Sequence, residues 1–318
     1  MRIYFLLAVL LFSLTVTAQK KNTLATYDLR CENHTDPIGI DAANPRFSWK
    51  LSSSQEDVMQ TGYELRISKD SKFKNSIPVT DASSGQSILV AYEGKPLEPL
   101  TRYYWQVRVK DNKGNQSPWS KTAFFETGFL GMPWPAAKWI EPEKEVSENQ
   151  SPAPTLTRKE FKVGRRIASA RYYITSRGLY IAYLNGKPVT DKVFTPGWTA
   201  YQKRLQYQVF DVTSLLLQGA NTTGVELAEG WYRGELGWVN NRALYGKRLG
   251  VLAELHITYS DGTKEIVGTD DSWKATDQGP IRFSGIYNGE VYDARLEQAG
   301  WTGNGFNDSN WWNVKISD

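Results

Sequence analysis

Cysteine and histidine are nearly missing from this sequence. In 318 residues there is one cysteine, Cys31, and two histidines, His34 and His256. Those counts exclude a zinc finger, an internal disulfide and a histidine-rich metal centre. Charge of one sign is also scarce. Thirty-eight Lys and Arg face 34 Asp and Glu, a formal +4 that is too small a surplus for a nucleic-acid groove. No block of basic residues, no GxSxG elbow, no HExxH and no dinucleotide-binding glycine loop occurs. Beyond the N-terminus no apolar run is long enough to cross a bilayer, so no membrane span is expected in the mature form.

The first segment reads as an address. MRIYFLLAVLLFSLTVTAQK places Arg2 before an apolar stretch from Ile3 to Leu14 and small residues up to Ala18. An apolar stretch of about 12 residues is short for a span of about 20. Residues 1–18 therefore read as a cleaved signal peptide, and the protein as secreted or periplasmic. An uncleaved anchor is the alternative. Cys31 lies too far downstream to carry a lipid and reads as a small buried side chain.

What the sequence does hold is aromatic: 12 Trp, 17 Tyr and 12 Phe. Many of these rings fall on alternating positions. Tyr63, Leu65 and Ile67 alternate with Glu64, Arg66 and Ser68. Tyr103, Trp105, Val107 and Val109 alternate with Tyr104, Gln106, Arg108 and Lys110. Period two means strands with one face in a core, and turn clusters such as DNKGN separate them. Residues 22–127 are thus expected to form a β-sandwich, and its YYWQVRVKDNKGNQSPWS with the closing AFFETG resembles fibronectin type III-like modules. Residues 128–157, with Pro133, Pro135, Trp134 and Trp139, read as a linker and first docking strand. Alternation resumes over 158–296, where Asn185-Gly186 and Asp261-Gly262 mark hairpins. Asp211 is placed to cap a short turn that would bury Leu215 to Leu217. His256 falls within a strand, where a structural role is favoured. Residues 297–318 read as a strand-like extension. The fold class is all-β, two tandem sandwiches, the second larger and jelly-roll-like.

Recognition chemistry concentrates in EGWYRGELGWVNNRALYGKR. Glu229, Trp231, Tyr232, Arg233, Trp238, Asn240, Asn241 and Arg248 lie close together there, with Trp198 from an earlier Gly-Trp pair. Aromatic faces can cover the C–H face of a sugar while carboxylates, amides and guanidinium groups bond its hydroxyls. Equally, Trp231 and Trp238 could pack over the sandwich while Arg233 pairs with Glu229 or Glu235. Asn240 and Asn241 could offer oxygen ligands to calcium, though no EF-hand spacing is present; no cofactor is required. A second polar cluster holds Arg282, Tyr287, Glu290, Tyr292, Asp293 and Arg295. Its carboxylates could serve glycoside hydrolysis only at separations of about 5–5.5 Å or about 6.5–9.5 Å. A buried Asp293–Arg295 network is the other reading. No catalytic residue is assigned.

The motifs LTRKEFKV, GLYIAYLNGKPV, PGWTAYQKRLQYQVFDVTSLL, GVELAEGWYRGELG, YGKRLGVLAEL, YSDGTKEIVGTDDSWK and IYNGEVYDAR occur in order. Together they resemble the N-terminal β-sandwich of bacterial alpha-L-rhamnosidases of glycoside hydrolase family 78, and the preceding module fits that architecture. The resemblance implies an accessory portion of an enzyme that removes alpha-L-rhamnose with inversion, its catalytic (α/α)6 barrel following the β domains. Nothing in the sequence supplies six helical hairpins, so the chain reads as lacking that barrel. The implied partners are a rhamnose-containing glycan and a downstream catalytic barrel, with no nucleic acid. In some members the sandwich binds rhamnose, at times with calcium. An autonomous carbohydrate-binding or assembly protein, and a small hydrolase using the carboxylate-rich loops, are the competing readings.

Overall fold

The alternating runs form antiparallel strands. The computed structural model describes residues 23–74, 77–144, 146–237 and 241–317. Residues 1–18, read above as a signal peptide, and Trp238 and Asn240 lie outside the described residues. The chain divides into two compact units, one ending at Thr127 and one beginning at Gly128.

Among its described residues the first unit has seven strands: β1 (Ala25–Cys31), β2 (Arg46–Ser52), β3 (Gln60–Ser68), β4 (Ile77–Ala82), β5 (Val90–Ala91), β6 (Arg102–Asp111) and β7 (Ala123–Glu126). They form a three-stranded sheet in the order β1-β2-β5 and a four-stranded sheet in the order β4-β3-β6-β7. Phe47, Trp49, Leu65, Trp105, Val107 and Phe125 fill the space between the sheets. The alternating faces of β3 and β6 turn inward, and Phe47 meets Trp105 at 4.7 Å between ring centroids. Cys31 is buried in this core, and burial pushes its thiol up to about 12. It therefore stays a packed, unreactive thiol at neutral pH.

The second unit begins with β8 (Trp139–Glu141), β9 (Thr155–Val163), β10 (Ile167–Arg177), β11 (Leu179–Leu184) and β12 (Lys187–Pro188). It continues through β13 (Gln208–Asp211), β14 (Gly219–Ala228), one helical turn α1 (Gly230–Arg233), β15 (Gly250–Tyr259), β16 (Lys264–Gly268) and β17 (Lys274–Thr276). The hairpin of β18 (Ile281–Gly285) and β19 (Gly289–Tyr292) precedes β20 (Trp312–Asn313) and β21 (Lys315–Ser317). One sheet runs β13-β10-β15-β8-β21, with β16 also on β15, and the other runs β12-β11-β14-β9-β17-β20. Tyr172, Ile174, Ala182, Val225, Leu255 and Trp273 are among the buried residues between them. The chain is all-β, two sandwich-like domains with very little helix. Asn185 and Gly186 take φ +51° and +82°, the positive pair that a two-residue hairpin requires.

The expected docking strand in 128–157 is β8, paired with β15, while β9 begins at Thr155 and so runs across the 157/158 division. The strand-like extension 297–318 supplies a strand to each sheet, β20 on β17 and β21 on β8. The buried guanidinium of Arg158 fastens it, donating to Trp301 O at 2.8 Å and Gly303 O at 3.0 Å and pairing with Asp308. Asp211 does accept from Thr213 N at 3.1 Å, but only Leu216 of the three leucines is buried and Leu217 is exposed. A single turn of 3-10 helix from Thr213 to Leu215 rotates too little to turn all three inward.

Candidate functional site: an aromatic ledge on the second unit

The ledge begins where β14 ends. Glycine is required there: Gly230 has φ +51°, and a Cβ on it would sit 2.3 Å from Leu179 Cγ on β11. This close approach starts α1 and swings Trp231 outward. Gly246 plays a similar part, since a Cβ there would fall 2.0 Å from the Tyr232 hydroxyl.

Beneath α1 lies an ion network. Glu229 and Arg233 are each only 2% exposed. The Glu229 carboxylate accepts from Arg233 Nη1 at 2.5 Å, from Arg242 Nη2 at 2.6 and 2.7 Å, and from the Ser151 hydroxyl. Arg233 also donates to four carbonyls: Lys247 at 2.8 Å, Gln150 and Ser147 at 2.9 Å, and Val146 at 3.0 Å. Five acceptors use all five guanidinium N–H groups. Glu229 and Arg233 thus hold the surrounding backbone, and neither is turned toward solvent.

Above this base the rings line up. Trp198 and Trp231 stack with planes 6° apart and centroids 5.8 Å apart, and Trp198 is 53% exposed. Trp198 Nε1 donates to Tyr245 Oη at 3.3 Å. Exposed Phe194 stands 5.8 Å from Trp231, and exposed Leu244 follows in the next segment of the loop. Tyr232 is a support, not a platform: Tyr201 meets it edge-on at 5.3 Å, and Tyr201 in turn meets Tyr245 edge-on at 5.0 Å. Burial raises the Tyr232 phenol and pushes Tyr201 up to about 12, so both remain neutral hydrogen-bonding groups.

Other expected site residues lie elsewhere. Arg248 pairs with Glu141 Oε2 at 3.2 Å and, with Arg282, lines a polar groove of about 870 Å³ floored by Arg233. Arg282 donates to Asp277 O at 2.5 Å and Gly279 O at 3.0 Å. Asn241 accepts through its backbone carbonyl from Leu236 N at 2.8 Å. Among the described residues no three His, Cys, Asp or Glu converge as metal ligands. Asp293 and Arg295 form an exposed surface pair at 2.6 Å, not a buried network, and Asp293 caps the turn Ala294–Leu296.

Glu290 lies on β19 and its charge reaches Glu226 on β14. Burial first, and Glu290 second, raise the Glu226 carboxyl. Sequence reasoning missed Glu226, Phe194 and Tyr245. Glu226 reads as an ordinary strand position, and only folding buries it and brings the charge of Glu290 near it. KVFTPGW carries a Pro-Gly turn signal, which could have marked Phe194 as part of a projecting loop.

Two family models match the chain. Residues 165–318 match the alpha-L-rhamnosidase N-terminal domain, and residues 26–131 match the Rha78A-like N-terminal immunoglobulin domain. The two units are N-terminal domains of the alpha-L-rhamnosidase family, glycoside hydrolase family 78. An immunoglobulin domain and a fibronectin type III domain share the antiparallel sandwich architecture seen here. An alpha-L-rhamnosidase of Formosa agariphila is 40% identical over 290 residues, 88% of this chain and 31% of that protein. The alpha-L-rhamnosidase structure from Aspergillus terreus is 37% identical with a TM-score of 0.85, over 93% of this chain and 34% of that one. The Streptomyces avermitilis alpha-L-rhamnosidase, solved with L-rhamnose, is 25% identical with a TM-score of 0.86, over 93% and 45%. The chain therefore spans between about a third and a half of the length of these alpha-L-rhamnosidases.

Proposed function

We propose that this chain is the N-terminal accessory portion of an alpha-L-rhamnosidase acting on rhamnose-containing glycans. In this reading the second unit supports a downstream catalytic barrel and its ledge holds sugar. The observation that carries it is the parallel stack of exposed Trp198 on half-buried Trp231 over a rigid base, in a domain of rhamnosidase kind. A flat apolar face with the Tyr245 hydroxyl at its margin matches a sugar, whose C–H face is apolar and whose rim is hydroxylated. Trp198 and Trp231 are the binding residues, Tyr232 and Tyr245 their support, and Glu229 and Arg233 their anchor. The chain is assigned no catalytic residue. Its leader supports an exported, periplasmic or secreted location, which N-terminal sequencing of the exported protein would test by a mature start near Gln19.

Calorimetry with L-rhamnose and simple L-rhamnosides tests the binding. Trp231→Ala should weaken affinity about tenfold, equal to about 1.4 kcal/mol, with the far-UV spectrum unchanged. A saturating series of rhamnosides giving neither heat nor amide chemical-shift change would overturn the reading.

A further inference from the structure

The two polar–aromatic clusters meet. Asn288, at the tip of the β18–β19 hairpin, donates from Nδ2 to Glu235 Oε2 at 2.7 Å, and Glu235 lies one short segment beyond Trp231. The hairpin is thereby tied to the loop that carries the ledge. Past this link stand two more solvent-facing rings, Tyr287 at 55% and Tyr292 at 51% exposure. The Tyr292 hydroxyl donates to Glu297 Oε1 at 2.6 Å, which fixes its ring. Alternation along β19 puts Glu290 on the same side of the strand as Tyr292. Glu226 lies close enough to both to be coupled electrostatically to each. Tyr292 and the two carboxylates therefore share one neighbourhood, tied through Asn288 to the loop that follows Trp231.

We infer that the hairpin forms a second sugar station beside the ledge, taking a neutral, hydroxyl-rich unit of an extended glycan chain. This rests on the sugar-binding reading of Trp198 and Trp231. Tyr287 offers an apolar face, and the carboxylate of Glu290 accepts sugar O–H groups as charge-assisted hydrogen bonds. The same charge, with Glu226 behind it, repels a unit bearing sulfate or carboxylate. A ligand that touches both stations must be a chain of several units. A single terminal sugar reaches only one.

The test uses the whole chain and three probes: L-rhamnose, a neutral rhamnose oligosaccharide, and a sulfated oligosaccharide of equal length, each titrated by calorimetry. The neutral oligosaccharide should bind about tenfold more tightly than the monosaccharide. Tyr287→Ala should return it to the monosaccharide value and leave the monosaccharide unchanged. The sulfated chain should bind more weakly than the neutral one, and Glu290→Gln should narrow that gap. Equal affinities for monosaccharide and neutral chain, no effect of Tyr287→Ala, or sulfated binding as tight as neutral would each overturn the second station while Trp231-dependent binding survives. Loss of every interaction, monosaccharide included, would overturn the ledge itself.

Discussion

At the scale of single residues, Arg233 shows how much of this site is backbone recognition. Its side chain is a charged group in a sequence of polar and aromatic neighbours, which reads as readily as a ligand contact. What decides its role is the convergence of carbonyls from Val146, Ser147, Gln150 and Lys247 on one guanidinium. Nothing in the sequence marks a carbonyl that needs a donor. Local pairing with Glu229, by contrast, is legible as an i, i+4 spacing on a helical turn. Arg233→Ala would leave a buried carboxylate and several carbonyls short of partners. We expect a loss of about 3–5 kcal/mol in denaturant unfolding of the second unit, the range for breaking one side of a buried pair. Arg233→Lys should recover only part of it, because one ammonium cannot reach the same fork of acceptors.

At the scale of elements, the strands were legible where one face is buried and the other wet. Tyr63, Leu65 and Ile67 on β3, and Trp105, Val107 and Val109 on β6, are all buried. A docking strand near Trp139 was legible, but its neighbours were not: β8 is three residues long, and its place between β15 and β21 depends on partners more than a hundred positions away. The segment before β8 is held by a clamp on β15. Glu254 is fully buried and accepts from Ala136 N at 2.6 Å, Ala137 N at 2.7 Å and His256 Nε2 at 2.6 Å. His256 also packs 4.7 Å from the Tyr173 ring, so it is structural. Burial alone would raise the Glu254 carboxyl, but the bonds from His256, Ala136 and Ala137 outweigh it and leave it below the usual glutamate value of 4.5. A lowered carboxyl contributes stability above that value and loses it as pH falls through the folded-state value. Unfolding free energy of the second unit should therefore drop on acidification below about pH 4.5. Glu254→Gln should lower stability at neutral pH and make the acid decline shallower, as followed by urea titrations at several pH values. An unchanged acid slope would argue against the clamp.

At the scale of the whole molecule, each unit has its own core: Trp49, Trp105 and Phe125 belong to one, and Ile174, Val225 and Trp273 to the other. Two independent cores predict two independently folding pieces. Residues 23–127 and 128–318, expressed separately, should each give dispersed amide spectra and a cooperative melt. A piece that remains unfolded would show that its core is incomplete without the other. The division into two sandwiches was legible from strand spacing, since turn clusters recur along both stretches. The union of the ledge with the hairpin was not, because Glu235 and Asn288 lie far apart in sequence and only folding brings them to 2.7 Å.

The pairing of β21 with β8, Ile316 opposite Ile140, makes neighbours of the first and last strands of the second unit described here. Strands so placed suit a rewired cassette: a short bridge from Ser317 to Trp139, whose Cα atoms are partners, would permit circular permutation, with new termini opened at a hairpin such as Asn185-Gly186.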